Sequence, residues 1–262
     1  MLIGTHRFLS HFRRLIMARD DVLVLFDVDG TLTPHRQVIL PHVQDFLQNQ
    51  LKPVATVGLV GGSDMPKIAE QMGGADVIHK FDFVFAENGL VAYRDGQFVE
   101  KQSISAFIGD DKLQKFINFC LRYMSDLELP CKRGNFVEFR NGMINVCPVG
   151  RSCSYEERLV FAEFDAKHRV REQMRDALMK AFPDLGLQFA IGGQISIDAF
   201  PIGWDKRYCL KFVESFKDIH FFGDRTAPGG NDHEIFEDPR TQGYTVSSPE
   251  DTLSQLKTIF KL

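Results

Sequence analysis

Residues Val22–Phe26 read VLVLF and run directly into Asp27-Val28-Asp29-Gly30-Thr31. An apolar run with no alternation suits a strand covered on both faces, as in a parallel sheet. Side chains two apart on an extended chain point the same way, so Asp27 and Asp29 share one pocket at the strand end. Asp-Gly alone is a common turn with solvated acids. Straight after a doubly buried strand, with Thr31 beside it, the pair reads as catalytic. Similar apolar runs occupy residues 54–60 and 219–222, and residues 81–86 and 244–246 are further candidate strands. Helical patterns fall at 41–50, 66–72 and 251–260. Strands alternating with helices predict an α/β fold: a Rossmann-like, doubly covered parallel sheet. In such sheets the site lies at the carboxyl ends of the strands.

The middle of the chain has another pattern. Leu113, Phe116, Ile117, Cys120, Leu121 and Met124 lie on one stripe of a helix. Residues 136–140 and 143–147 flank Asn141-Gly142, a strong hairpin signal. That register puts Val137, Phe139, Ile144 and Val146 on one face, and Glu138, Arg140 and Asn145 on the other. Ser154 to Glu157 has capping-box spacing before a helical stretch reaching about Phe182. Residues 194–200 alternate again, Ile195 and Ile197 against Ser196 and Asp198. The expectation is an α+β cap domain, residues 98–202, built on an antiparallel sheet with one polar face. It is inserted into a core of residues 21–97 and 203–262, with hinges near 97 and 202.

Length and composition bound the rest. A chain of 262 residues suits about two domains. A net charge of −4 argues against a nucleic-acid partner. No apolar run approaches the ~18 residues of a membrane span. Five cysteines without a C-x-x-C pair fit a reducing compartment, hence a cytoplasmic location. Residues 1–20 are rich in arginine and carry no acid before Asp20. They are expected to be a disordered or targeting extension, or to precede the true start at Met17.

Two carboxylates at a strand end can bind Mg²⁺, a hard cation that prefers oxygen ligands. One can attack phosphorus to form an aspartyl phosphate, and the other can serve the leaving oxygen as acid and then base. Gly61-Gly62-Ser63-Asp64 ends the second buried run, where N–H groups and the Ser63 hydroxyl can grip a phosphoryl group. Lys206, in Trp204-Asp205-Lys206-Arg207, would neutralise phosphate charge. Asp224, after the run at 219–222, would be a third oxygen ligand. In the cap, Arg140, Arg151 and Arg158 fall in one short stretch, and the guanidinium fork suits phosphate. Any one of them alone would more often be a surface ion pair. Ser196 and Asp198 could hydrogen-bond sugar hydroxyls. A ligand carrying two phosphates needs such a second cradle, whereas one carrying a single phosphate needs one site.

The order DVDGT, GGSD, GWDK and GDRTAPGGND resembles the haloacid dehalogenase superfamily of phosphotransferases. The strings FVEFRNGMINVCPVGRSCSYEER, GGQISIDAFPIGWDKRYCL and PGGNDHEIFEDPRT are similar to the eukaryotic phosphomannomutases, over residues 22–260. That resemblance implies Asp27 as the phosphorylated nucleophile and Asp29 as general acid/base. Mg²⁺ would sit on Asp27, the backbone carbonyl of Asp29, and Asp224. Ser63 and Lys206 would hold the transferring phosphoryl. A second cation would use the Phe236 carbonyl, Asp238 and Thr241. Sugar-phosphate contacts would be Arg36, Arg140, Arg151, Arg158, Ser196 and Asp198. The implied reaction interconverts mannose 6-phosphate and mannose 1-phosphate, primed by a hexose 1,6-bisphosphate activator and supplying GDP-mannose. A homodimer through the cap is implied as well. No motif fixes the sugar's hydroxyl contacts, so a phosphoglucomutase side activity stays open. A sugar-phosphate phosphatase of the same superfamily is the alternative. A binding protein without turnover is a further one, which intact Asp27, Asp29, Asp224 and Lys206 count against.

Overall fold

The computed structural model describes residues 21–262, so the N-terminal extension lies outside the described residues. Strand β1 (Val22–Phe26) buries Leu23 to Phe26 completely. Val24 and Phe26 join one apolar cluster, Leu23 and Leu25 another. The alternation of a strand thus feeds two cores, and each of these side chains contributes on the order of 2 kcal/mol. Helix α1 (Pro41–Phe46) starts with proline at its first turn, where no N–H is needed, and widens into a π turn over Leu47–Leu51. Strand β2 (Thr56–Val60) is buried throughout. Helix α2 (Met65–Gln71) is capped by Asp64, whose carboxylate accepts from the Lys67 N–H at 3.1 Å. The short helix α3 (Val77–Lys80) leads to β3 (Phe83–Ala86).

Two strands then follow that the apolar-run reading leaves out, β4 (Val91–Arg94) and β5 (Gln97–Lys101). They pair antiparallel across Asp95-Gly96, whose φ values are 49° and 74°. Both central residues of a tight hairpin turn need that left-handed conformation, which Asp and Gly tolerate.

The chain separates into two compact units. The first holds the described residues up to Lys101 and then Asp205–Leu262; the second is Gln102–Trp204. The expected limits were 97/98 and 202/203. In the second unit, α4 (Ile104–Ile108) and α5 (Asp110–Ser125) come first. Leu113, Phe116, Cys120 and Met124 of α5 are buried, while Leu121 of the expected stripe is exposed. Strands β6 (Val137–Phe139) and β7 (Ile144–Val146) pair in the expected register, Glu138 opposite Asn145. Helix α6 (Tyr155–His168) opens with the expected capping box: the Ser154 hydroxyl accepts from the Glu157 N–H, and Glu157 accepts from the Ser154 N–H.

The single helix expected as far as Phe182 is broken at Arg169, where φ is 52°. Helix α7 (Val170–Ala181) begins anew there. The buried Asp165 carboxylate drives the break. It accepts from the Arg171 N–H at 2.8 Å and from its Nε at 2.7 Å, capping the new helix from the old one. Strands β8 (Leu187–Gly192) and β9 (Ser196–Pro201) complete a fully antiparallel sheet in the order β6-β7-β9-β8. Strand β8 is a third strand that the apolar-run reading leaves out.

Back in the first unit, β10 (Asp218–Gly223), α8 (His233–Phe236), β11 (Gln242–Thr245) and α9 (Pro249–Phe260) follow. The seven-stranded sheet has the order β11-β10-β1-β2-β3-β4-β5. It is parallel from β11 through β3 and antiparallel at β4 and β5. β1 lies between β10 and β2, so the loops after all three strands open at one edge.

On β10, His220 is buried against Tyr244, whose hydroxyl lies 3.0 Å from Nδ1, and edge-on to Phe260. Burial holds its imidazole below the ordinary 6.5, against the opposing pull of Asp218. At acidic pH the unfolded chain then binds more protons than the fold, so stability falls as pH drops below 6.5 and is level above it. We expect His220→Phe to flatten this acid limb. Melting temperature followed between about pH 5 and 7 checks it, and an unchanged slope would remove His220 as the cause.

Candidate active site

Asp27 continues the path of β1, its N–H bonding to the Phe222 carbonyl of β10 at 2.9 Å. The backbone then turns sharply at Gly30, with φ +91°. A Cβ there would come within 2.7 Å of Asp224 Oδ2, so glycine is what lets this loop approach the end of β10. Asp224 follows β10 immediately. Asp232 lies just before α8 and is fully buried; a Cβ on Gly223 would sit 2.6 Å from its Oδ2. The carboxylate oxygens of Asp27, Asp224 and Asp232 lie within 4.8 Å of one another.

Lys206 opens a 3₁₀ turn, Lys206–Phe212, and its side chain is buried. The ammonium is held by both Asp27 Oδ1 and Asp232 Oδ1. Burial opposes its charge, yet the two carboxylates outweigh burial and keep it protonated. Burial also pushes the Asp27 carboxyl up to about 6; Lys206 opposes this, and Asp232 adds to it. Asp224 is raised too, by burial first and then by Asp232.

Asp29 is half-exposed, and its Oδ1 accepts two N–H bonds, from the Arg36 backbone at 2.5 Å and from Gln71 Nε2 at 2.8 Å. His35 stands between the two aspartates at greater distance, 3.7 Å from Asp29 Oδ2 and 3.9 Å from Asp224 Oδ2. Asp27, Asp29, Ser63, Gln71, Asp224 and Asn231 line a cleft of about 190 Å³, ample for a tetrahedral oxyanion. Ser63 is exposed, just past the end of β2. Thr31 Oγ1 is buried with no hydrogen-bond partner, an orphan polar atom beside the aspartates.

Asp27, Asp29, Ser63 and Asp224 thus converge on the cleft, with Lys206 buried behind Asp27. Arg36 is present through its backbone N–H, and its side chain is exposed. Phe236 ends α8, and Asp238 and Thr241 follow it in the next turn. Both Asp238 oxygens accept from Arg240, at 2.8 Å each, and Thr241 Oγ1 donates to the Ile235 and Asp238 carbonyls.

In the second unit, Glu138, Asn145 and Asp198 form one row across three strands. Glu138 holds both Arg140, at 2.6 Å, and Arg151, at 3.0 Å. Arg151 Nη1 also donates to Asn145 Oδ1 at 2.9 Å, and Asn145 donates to Asp198. Ser196 instead donates to the Gly192 carbonyl. Arg158, on α6, has no ion-pair partner among the described residues.

Sequence reasoning missed Asp232, Gln71 and His35. The Gly-Gly-Asn-Asp string held the signal for Asp232, because a glycine-rich turn after a buried strand places its acid near the strand end. Nothing local marks Gln71.

The family profile described as eukaryotic phosphomannomutase matches residues 43–262. A phosphomannomutase from Drosophila melanogaster is 53% identical over 94% of this chain and 98% of its own. One from Triticum aestivum is 56% identical over 93% and 98%. Among solved structures, the N-terminally truncated IMP-nucleotidase of Plasmodium falciparum superposes with a TM-score of 0.59 at 17% identity, over 96% of this chain and 73% of that one. That likeness shows the haloacid dehalogenase fold alone. With half the residues or more shared over nearly its whole length, the chain belongs to the eukaryotic phosphomannomutase family.

Proposed function

We propose that this chain is an isomerase, a phosphomannomutase that interconverts mannose 6-phosphate and mannose 1-phosphate through phosphorylated Asp27 and a hexose 1,6-bisphosphate. The observation that carries the reading is the pairing of two unlike carboxylates. Asp27 is buried on Lys206, while Asp29, two residues on, is half-exposed and held by its own donors. Environments this different let one group act as nucleophile and the other as acid/base.

A carboxylate oxygen of Asp27 attacks phosphorus. Asp29 protonates the departing sugar oxygen and takes the proton back when the phosphoryl moves to the other hydroxyl. Ser63 and Lys206 hold the transferring group. Burial of Asp27 keeps water from its phosphorylated form. In the second unit, Arg140 and Arg151 face the carboxylates of Glu138 and Asp198, so these charges balance, and Arg158 on α6 is a cation without an ion-pair partner among the described residues. That face is our proposed cradle for the phosphate that is not reacting, with Ser196 and Asp198 toward sugar hydroxyls and Arg36 as a further contact.

The donor set fits a divalent cation. Three neighbouring carboxylates face a single ammonium, an excess of negative charge that burial makes costly. Hard oxygen ligands suit Mg²⁺, which Asp27, Asp224 and the Asp29 carbonyl would hold, with Asp232 at the same cluster. When bound, the ion would neutralise charge on the phosphoryl oxygens. A second cation on the Phe236 carbonyl, Asp238 and Thr241 would have to take Asp238 from Arg240.

Priming by a hexose 1,6-bisphosphate, a homodimer through the second unit and a cytoplasmic supply of GDP-mannose belong to the same proposal. The cysteines are free, and no helix of the described residues is long and apolar enough to cross a membrane. A phosphoglucomutase side activity is part of it too.

The reading is tested with Mg²⁺, mannose 1-phosphate and a trace of glucose 1,6-bisphosphate. We expect bisphosphate-dependent mannose 6-phosphate with little free phosphate. Free phosphate without isomerisation would move the assignment to a sugar-phosphate phosphatase.

Lys206→Met removes the cation from between Asp27 and Asp232. It should lower stability by about 3–5 kcal/mol in chelator, since uncompensated buried charges remain. Urea unfolding measures this. Combining it with Asp232→Asn should recover part of the loss, and no recovery would mean that charge is not the cause.

A further inference from the structure

Gln71 occupies a core position of α2. Ile68, Gln71 and Met72 stand at i, i+3 and i+4 on one helix face, and all three are buried, Gln71 to 4% exposure. A primary amide on such a face is costly unless it is hydrogen-bonded. Among the described residues its side chain has one partner, Asp29 Oδ1 at 2.8 Å. A leucine or methionine would fill the space and spare that cost. The structure therefore contains an expensive side chain with a single destination.

The destination is chemically particular. The same oxygen accepts the Arg36 N–H, so Oδ1 is occupied by two donors that converge from α2 and from the loop after Gly30. With Oδ1 occupied, Oδ2 is the oxygen left to exchange a proton. Asp29 is otherwise half-exposed, where a free carboxylate would rotate among rotamers. The Gln71 backbone carbonyl also accepts the Ile39 N–H at 2.7 Å, tying down the end of the same loop. That bond survives any side-chain replacement, so a variant isolates the amide.

We propose that Gln71 is a positioning residue for phosphoryl transfer: its amide pins the Asp29 carboxylate so that Oδ2 is aligned with the sugar oxygen. The inference rests on the acid/base role proposed for Asp29. In the step concerned, the bond from phosphorus to the sugar oxygen breaks and one from phosphorus to an Asp27 oxygen forms. The sugar oxygen leaves with a proton from Asp29. A p-nitrophenyl ester differs in one respect, since p-nitrophenolate leaves as a stabilised anion without that proton.

The experiment compares single-turnover phosphoryl transfer to Asp27 from glucose 1,6-bisphosphate with the p-nitrophenolate burst from p-nitrophenyl phosphate. Both use full-length protein with Mg²⁺, wild type and Gln71→Met, an unbranched replacement of matching length. We expect the sugar reaction to slow about 10- to 100-fold, a share of what a placed acid supplies, and at least tenfold more than the burst. Equal slowing of both, or slowing of neither, overturns the inference. Should Gln71→Met fail to fold, Gln71→Leu also removes the donor without adding a charge and is expected to give the same contrast. Wild-type protein that releases phosphate from the bisphosphate but forms no mannose 6-phosphate would defeat the mutase reading. The contrast between the two esters would still decide the role of Gln71.

Discussion

A buried ammonium held between two buried carboxylates organises the first unit. Lys206 meets Asp27 across 179 positions of sequence and Asp232 across 26. None of the three could be buried alone, because an isolated ion in the interior costs several kcal/mol. Each therefore requires the other two, and with them three backbone segments: the end of β1, the turn after the inserted unit, and the loop after β10. This demand fixes where the chain must return after residue 204. The insertion can be long, but its two ends must deliver Lys206 to the base of β1.

The sheet order supplies the platform for that meeting. β1 is flanked by β10 and β2 in parallel register, so Asp27, Asp224 and Ser63 all emerge at the same edge. Two glycines make the approach possible, Gly30 against Asp224 and Gly223 against Asp232. Thr252 of α9 donates to the Thr31 carbonyl from beneath, so the loop after β1 is braced by the last helix of the chain. Packing, backbone turn and charge thus converge on one loop of five residues.

The parts of this arrangement that were legible in sequence share a physical property: they are local. VLVLF followed by two acids announces a doubly buried strand and its carboxylates, because burial on two faces suppresses alternation. Asn141-Gly142 and the Ser154–Glu157 spacing announce a hairpin and a helix start, each decided within four residues. Asp95-Gly96 carries the same hairpin signal, but the strands beside it are mixed in polarity at the sheet edge, where half-exposure dilutes the pattern. The break at Arg169 was illegible for another reason. No glycine or proline marks it, and it is imposed by Asp165 reaching forward to Arg171. Asp232 and Gln71 were missed because their importance is entirely tertiary. One is defined by a lysine brought to it, the other by a carboxylate on a different loop.

The electrostatic imbalance around Asp27 gives the last constraint. Around Asp27, three carboxylates meet one ammonium, and the deficit calls for positive charge of the hard, divalent kind. Around Glu138 the charges balance, Arg140 and Arg151 against Glu138 and Asp198, and Arg158, close by in sequence, is a cation without an ion-pair partner among the described residues. On the reading proposed above, the divalent ion would let the carboxylates of the first unit meet a phosphoryl group, and Arg158 would be the cation free for a second phosphate, which a mutase requires and a phosphatase does not.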